Sequence, residues 1–154
     1  MRPMASVSLF CIGKLRDRAL QELAKDYIAR LSRYCRFRVE EISSAKFHRG
    51  SSKSKTSWKR RFESASIKIA LDVGGSAVDS LGFSRIMAKS EEASSSTAFI
   101  IGGPEGIPAE LLQGSCKKLS LSPCTFPHQL FRILFLEQLY RAFTILRNEP
   151  YHKF

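Results

Sequence analysis

A stretch of apolar residues with no polar face constrains this chain more than any other feature. Between Pro127 and Leu146, about 20 residues, nothing interrupts a helix, and Pro150 ends it. Pro127 suits a first helical turn, where its missing N–H is not needed. Wound as a helix, Leu130, Ile133, Leu134, Phe135, Leu136, Leu139, Ala142, Phe143, Ile145 and Leu146 spread over the whole circumference. Such a helix must be covered on more than one side. Its length reaches that of a membrane span, but Arg132, Glu137, Gln138 and Arg141 lie inside it and argue against a bilayer. The expected cover is the chain's own sheet on one side and a second copy of the chain on the other. A homodimer built on this helix is therefore predicted, with no membrane contact; the alternative is the core helix of a monomer. Beyond it, Tyr151, His152 and Lys153 follow one another near the chain end. They are either a solvated tail or groups that close over a ligand.

A chain of 154 residues suits one domain, 1–154, with a core of its own. All of its excess positive charge, +11, lies before residue 71, and the remainder is balanced. That segregation points to a polyanion, of which nucleic acid is the commonest. Cys11, Cys35, Cys116 and Cys124 show neither C-x-x-C spacing nor paired histidines. No metal site and no disulfide framework is expected, and the thiols read as reduced and mostly buried in a cytoplasmic protein. No secretory leader is apparent.

Ala5–Gly13 reads as a first strand and Asp17–Tyr34 as an amphipathic helix with Leu20, Leu23, Ala24, Tyr27, Ile28 and Leu31 on one face. Phe37–Ile42 alternates as a half-buried strand. The run 43–61 holds Lys46, Arg49, Lys53, Lys55, Lys59, Arg60 and Arg61 with no acid, and is expected to be a mobile loop. Phe47, His48 and Trp58 among those cations suit phosphate contact with base stacking. Ile67–Asp72 is a strand, Ser80 is positioned to cap a helix over 81–90, and Thr97–Ile101 is a continuous apolar strand of the buried parallel kind. Pro108 opens a short helix to Leu112, and Lys118–Leu121 is the last strand. The alternation indicates an α/β protein: a parallel sheet with helices on both faces and ligands at the carboxyl ends of the strands.

Three strand ends then carry special loops: after Leu71, after Ile101 and after Leu121. Gly102-Gly-Pro-Glu-Gly106 permits positive φ and close approach of a ligand to backbone, though a plain tight turn explains it as well. No Gly-Lys-Ser/Thr follows it, and G-x-G-x-x-G is absent after the first strand, so the nucleotide-phosphate readings fail. No serine elbow lies near any of the three histidines. Loops of this kind suit a ligand held by its adenine and its amino-acid end through peptide groups.

Ile101-Gly-Gly-Pro-Glu-Gly106, Leu119-Ser-Leu-Ser122, Thr125-Phe-Pro-His128, Arg132, Glu137-Gln-Leu-Tyr-Arg-Ala142 and Pro150-Tyr-His-Lys153 together resemble the RlmH family. These are the large-subunit ribosomal RNA pseudouridine N3-methyltransferases of the SPOUT class. The resemblance covers the first strand, the first helix and nearly everything from Ile67 onward. It implies a C-terminal trefoil knot holding S-adenosylmethionine, a homodimer through the long helix, and methylation of a pseudouridine on the assembled ribosome. It places cofactor contacts on Leu71, Gly102, Gly103, Leu121, Ser122, Pro123, Cys124, Thr125 and Phe126, and the catalytic end on Tyr151, His152 and Lys153. One departure stands out: where the family has a longer, acid-containing helical segment between its second and third strands, this chain has the basic, serine-rich run 43–66.

A sulfonium methyl is already activated, so neither a metal nor a covalent intermediate is required. The protein must supply in-line placement and a deprotonated imide nitrogen. His152 suits the proton acceptor, Lys153 the stabiliser of the anion, and Tyr151 the group that orients the base. His128, at the helix start, is assigned a structural hydrogen bond. Two alternatives stay open at this level: a SPOUT methyltransferase acting on transfer RNA, and a non-enzymatic RNA-binding protein.

Overall fold

The apolar runs become five strands of one parallel sheet. The computed structural model describes residues 4–44, 57–113 and 116–153. Its elements follow as β1 (Ala5–Ile12), α1 (Arg18–Leu31), β2 (Cys35–Ile42), α2 (Ser57–Glu63), β3 (Ile67–Ala77), α3 (Ser80–Glu92), β4 (Ser96–Ile101), a 3-10 turn (Ala109–Leu112), β5 (Lys117–Ser120) and α4 (His128–Leu146). The strand order is β2-β1-β4-β3-β5, and every neighbouring pair is parallel. β4 lies at the centre, which is why its sequence does not alternate: Thr97 through Ile101 are all buried.

Side chains alternate across the strands and build two cores. Val7, Leu9, Cys11, Ile69, Leu71, Phe99 and Ile101 face α1, α3 and α4. There Phe99 and Phe135 lie 4.9 Å apart, with Phe83 tilted against both. Phe10, Ile12, Ala98 and Ile100 face the other way, under Trp58 and Phe62 of α2 and Leu111 of the 3-10 turn. The helical stretch Ser57–Glu63 corrects the expectation of a loop through residue 61. It also removes Trp58 from base stacking, because the indole is 4 % exposed and forms part of this core. Phe47, His48 and the cations from Lys46 to Lys55 lie outside the described residues.

Helix starts follow carboxylates. Asp17 Oδ1 accepts from Leu20 N at 3.0 Å, and Asp79 Oδ1 accepts from Gly82 N at 2.7 Å. The α3 cap is thus Asp79 rather than Ser80. The Ser80 hydroxyl instead donates to Gln138 Oε1 at 2.7 Å and ties α3 to α4.

α4 packs between α1 and α3 over the sheet. Ile133, Phe135, Leu136, Leu139, Ala142 and Phe143 are buried. A stripe through Leu130, Leu134, Gln138, Arg141 and Ile145 stays exposed or half-buried, with Leu130 38 % exposed. Cys11 and Cys35 are buried, and burial pushes both thiols up to about 12; Cys116 is half-buried, and Cys124, against expectation, is exposed. No helix among the described residues is long and apolar enough to cross a membrane.

Candidate functional site

The carboxyl ends of β3, β4 and β5 converge on one cleft, and each strand end is built differently. β3 runs on past Leu71, but Leu119 of β5 pairs first with Leu71 and then with Ser76, so the intervening residues bulge outward. Gly75 crosses directly over β5: a Cβ there would lie 2.7 Å from Leu119 N, which only glycine avoids. The β4 loop folds back on itself through a bridge between Gly103 and Gly106, whose N–H donates to Gly103 O at 3.0 Å. A Cβ on Gly102 would stand 2.8 Å from Gly106 C. The glycines are therefore required by the loop's own backbone. Beyond β5, Ser120 Oγ donates to Ser122 O at 2.9 Å and Cys124 N donates to Ser122 Oγ at 3.0 Å, shaping the chain into α4.

The cleft has a volume of about 170 Å³. Leu71, Asp72 and Val73 supply one wall; Ile101, Gly102, Gly103 and Ile107 supply the second. Leu121, Ser122, Cys124, Thr125 and Phe126 supply the third, and His128 and Phe131 of α4 close it. Eight of the nine residues expected to hold a cofactor meet here. Pro123 does not; it turns outward into a neighbouring groove with Val78, Asp79 and Arg85. Asp72, Ile107 and Phe131 were not singled out from the sequence, and His128 was given only a structural task. Their position one to five residues beyond strand or loop boundaries already named is the signal that would have found them.

The α4 wall is fixed by a buried cation. Arg132, 5 % exposed, donates from Nη1 to Glu41 Oε2 at 2.6 Å and from Nη2 to Gly13 O at 3.0 Å. Leu15 N donates to the same Glu41 oxygen at 2.8 Å, and Arg16 N to Gln129 Oε1 at 3.2 Å. Burial alone would raise the Glu41 carboxyl, but the bonds from Arg132 and Leu15 hold it below the usual carboxylate range.

Tyr151, His152 and Lys153 do not line the cleft of their own chain. They fold back on the second half of α4. Glu137 and Arg141 form an ion pair at 2.5 Å, and the Tyr151 hydroxyl donates to Glu137 Oε1 at 3.1 Å. The Arg141 guanidinium lies 4.7 Å over the Tyr151 ring and 3.2 Å from His152 Nδ1. A guanidinium only donates, so Nδ1 accepts and a neutral imidazole carries its proton on Nε2. Burial, then the Glu137 charge, pushes the Tyr151 phenol well up, which keeps it a neutral donor. The segment does not fray as a free tail: Tyr34 donates to Glu149 Oε2 at 2.7 Å, and Arg147 to Glu91 Oε1 at 2.6 Å. Lys153 is exposed.

The cleft's chemistry fits a ligand with an apolar ring and a cationic end. Leucine, isoleucine and phenylalanine side chains line it beside peptide groups, and Asp72 brings a carboxylate.

Residues 5–152 match a family model described as Predicted SPOUT methyltransferase. The chain is similar to the Ribosomal RNA large subunit methyltransferase H of Clostridium kluyveri, with 39 % identity over 96 % of this chain and 99 % of that one. It is similar also to the protein of that name from Clostridium botulinum strain Okra, at 37 % identity with the same coverage. Among solved structures it resembles a probable methylase family protein from Haemophilus influenzae, with TM-score 0.60, 11 % identity, and coverage of 96 % of this chain and 70 % of that chain. At that identity the last likeness speaks for the fold alone.

Proposed function

This chain belongs to the SPOUT methyltransferase family, and from that premise we propose that it methylates N3 of a pseudouridine in large-subunit ribosomal RNA, with S-adenosylmethionine as donor. The observation that carries the reading is the meeting of three strand-end loops in one cleft walled by peptide groups and apolar side chains. S-adenosylmethionine supplies a methyl group already activated on sulfur. Leu71, Ile101, Leu121 and Phe126 would enclose its adenine, and the Asp72 carboxylate would face its cationic end. The three loops would lie in the trefoil knot that the family resemblance implies.

The working unit is a homodimer. Leu130, Leu134 and Ile145 interrupt an otherwise covered α4, and an apolar stripe of this kind suits a second copy. Phe131 at the cleft and Arg141 at the tail are ten residues apart, about 15 Å along a helix. A two-fold axis crossing α4 between Leu134 and Gln138 would therefore set the tail of one protomer against the cleft of the other. Each cleft would then be roofed by the partner's chain end.

Within that roof, Tyr151 orients the base, His152 takes up the N3 proton, and Lys153 stabilises the imide anion. Arg141 occupies Nδ1 of His152 in the free protomer, so the imidazole must turn away from Arg141 when RNA binds. The site of action is the ribosome in the cytoplasm. The test is mass spectrometry of large-subunit RNA from cells lacking the protein. One methyl group missing from a pseudouridine is expected, and restoration by the wild-type chain completes it. Unchanged RNA sinks the assignment, and a methyl missing from transfer RNA instead redirects it.

A further inference from the structure

Among the described residues, the sheet face opposite α4 is only half covered. Parallel sheets ordinarily have both faces buried. Here α2 and the 3-10 turn cover the carboxyl half, where Phe10, Ile12 and Ile42 point. By alternation Ser6 and Ser8 of β1, and Arg36 and Arg38 of β2, point to the same face over its amino half. β1 is an interior strand, paired on both sides, yet Ser6 is exposed, as are Arg36 and Arg38. The register sets Ser6 between Arg36 and Ser96, and Ser8 between Arg38 and Ala98, with Lys68 next beyond Ala98. Neither Arg36 nor Arg38 makes an ion pair with a described residue. The neighbouring carboxylate on that face of β2, Glu40, is already held by Arg61.

We propose that this bare half-face is a second RNA contact, which grips the sugar-phosphate backbone of the substrate away from the methylated base. Guanidinium groups and serine hydroxyls are the side chains that hold phosphates. Met4, 44 % exposed at the amino end of β1, is a single apolar side chain at its margin, short of the cluster of aromatic and large apolar anchors a protein partner needs. Arg36 and Arg38 sit two residues apart, about 6.6 Å, close to the interval between neighbouring phosphates. Ile101 lies five residues along β4 from Ser96, so the contact falls roughly 17 Å from the mouth of the cleft. The inference rests on the proposed action on RNA and adds where a flanking segment is held.

The test uses the full-length protein and a fluorescein-labelled RNA hairpin that contains no pseudouridine, so binding is read apart from methyl transfer. The Arg36→Ala/Arg38→Ala variant should bind it about tenfold more weakly at low salt. The log–log salt slope should become shallower by about 1.4–1.8, the share of two phosphate contacts. Ser6→Glu, which places a carboxylate in the middle of the patch, should weaken binding as well. S-adenosylmethionine titration and the thermal midpoint should stay at wild-type values in both variants. Unchanged hairpin affinity and slope in the folded variants overturn the proposal, as does loss of polyglutamate binding with RNA binding intact. A wild-type protein that binds S-adenosylmethionine but not the hairpin overturns this surface and leaves the cleft reading standing. Hairpin binding that the variants lose, without any S-adenosylmethionine binding, supports the surface and sinks the cleft reading.

Discussion

Removing either partner of the Arg132–Glu41 pair should destabilise the protein unequally, and the order follows from burial. The side chain of Arg132 is 5 % exposed and that of Glu41 38 %. In Glu41→Met the guanidinium stays charged and enclosed, with only Gly13 O left to it. Breaking a buried pair this way costs roughly 3–5 kcal/mol. In Arg132→Met the remaining carboxylate keeps Leu15 N and turns toward water, so about 1–2 kcal/mol is expected. For a domain of this size, about 1 kcal/mol moves the midpoint by roughly 2–4 °C. Glu41→Met should therefore melt roughly 6–20 °C below wild type on that scale, and Arg132→Met roughly 2–8 °C below it. The double variant should cost less than the two singles together. Urea unfolding at one fixed protein concentration measures all three, since the proposed dimer would make stability depend on concentration. The carboxyl's folded pKa is depressed, so the pair's contribution is complete above the unfolded value of about 4.3 and fades as pH falls through the folded value. Equal losses, or a larger loss in Arg132→Met, would refute the reasoning that the enclosed cation dominates.

Gly75→Ala drives a methyl into the β5 backbone and should cost about 3 kcal/mol, against about 1 kcal/mol for Gly13→Ala, where φ is +88° and nothing lies within 4 Å; thermal melts rank them. His152→Ala should slow methyl transfer at least about 100-fold while changing S-adenosylmethionine affinity less than about threefold; equal losses in both would make His152 a structural residue. Leu134→Glu should yield monomers by sedimentation that still bind S-adenosylmethionine but transfer no methyl, and an active monomer would remove the roofing by a partner's tail.

The elements that were legible in the sequence are those whose burial is uniform. β4 is covered on both faces and α4 on most of its girth, so neither needed a partner to be identified. Local reading failed where tertiary packing overrode composition. Trp58 sits among Ser57, Lys59, Arg60 and Arg61 and reads as surface, yet it is buried in one core with Phe62, Ile100 and Leu111. Ser80 and Asp79 are both good caps, and only the distance to Gln138 separates their tasks. Eight of the nine residues expected at the cofactor meet in one cleft because Gly102 and Gly103 mark a strand end whatever the loop does. Their close contacts with Gly106 and Ile12 match the tight-turn reading of the motif. Asp72 was missed because a strand that continues through a bulge leaves no break in its pattern.

The sequence also joined the long helix to the tail without showing how they relate, and the geometry supplies the connection. The first turn of α4 closes the cleft through His128 and Phe131, the second is pinned to Glu41 and Gly13 through Arg132, and the rest of the helix holds Tyr151 and His152 through Glu137 and Arg141. One rigid rod therefore spaces the cleft from the tail by about 15 Å, further than any side chain spans. Within one protomer the two cannot meet, because Glu149 and Arg147 fasten the tail to Tyr34 in the turn after α1 and to Glu91 of α3. In the proposed dimer, two protomers crossing at the exposed stripe would remove the gap without bending either rod. In the proposed dimer the polar residues Gln138 and Arg141, which spoil the helix as a membrane span, are where the two-fold contact and the tail proposed as catalytic would coincide.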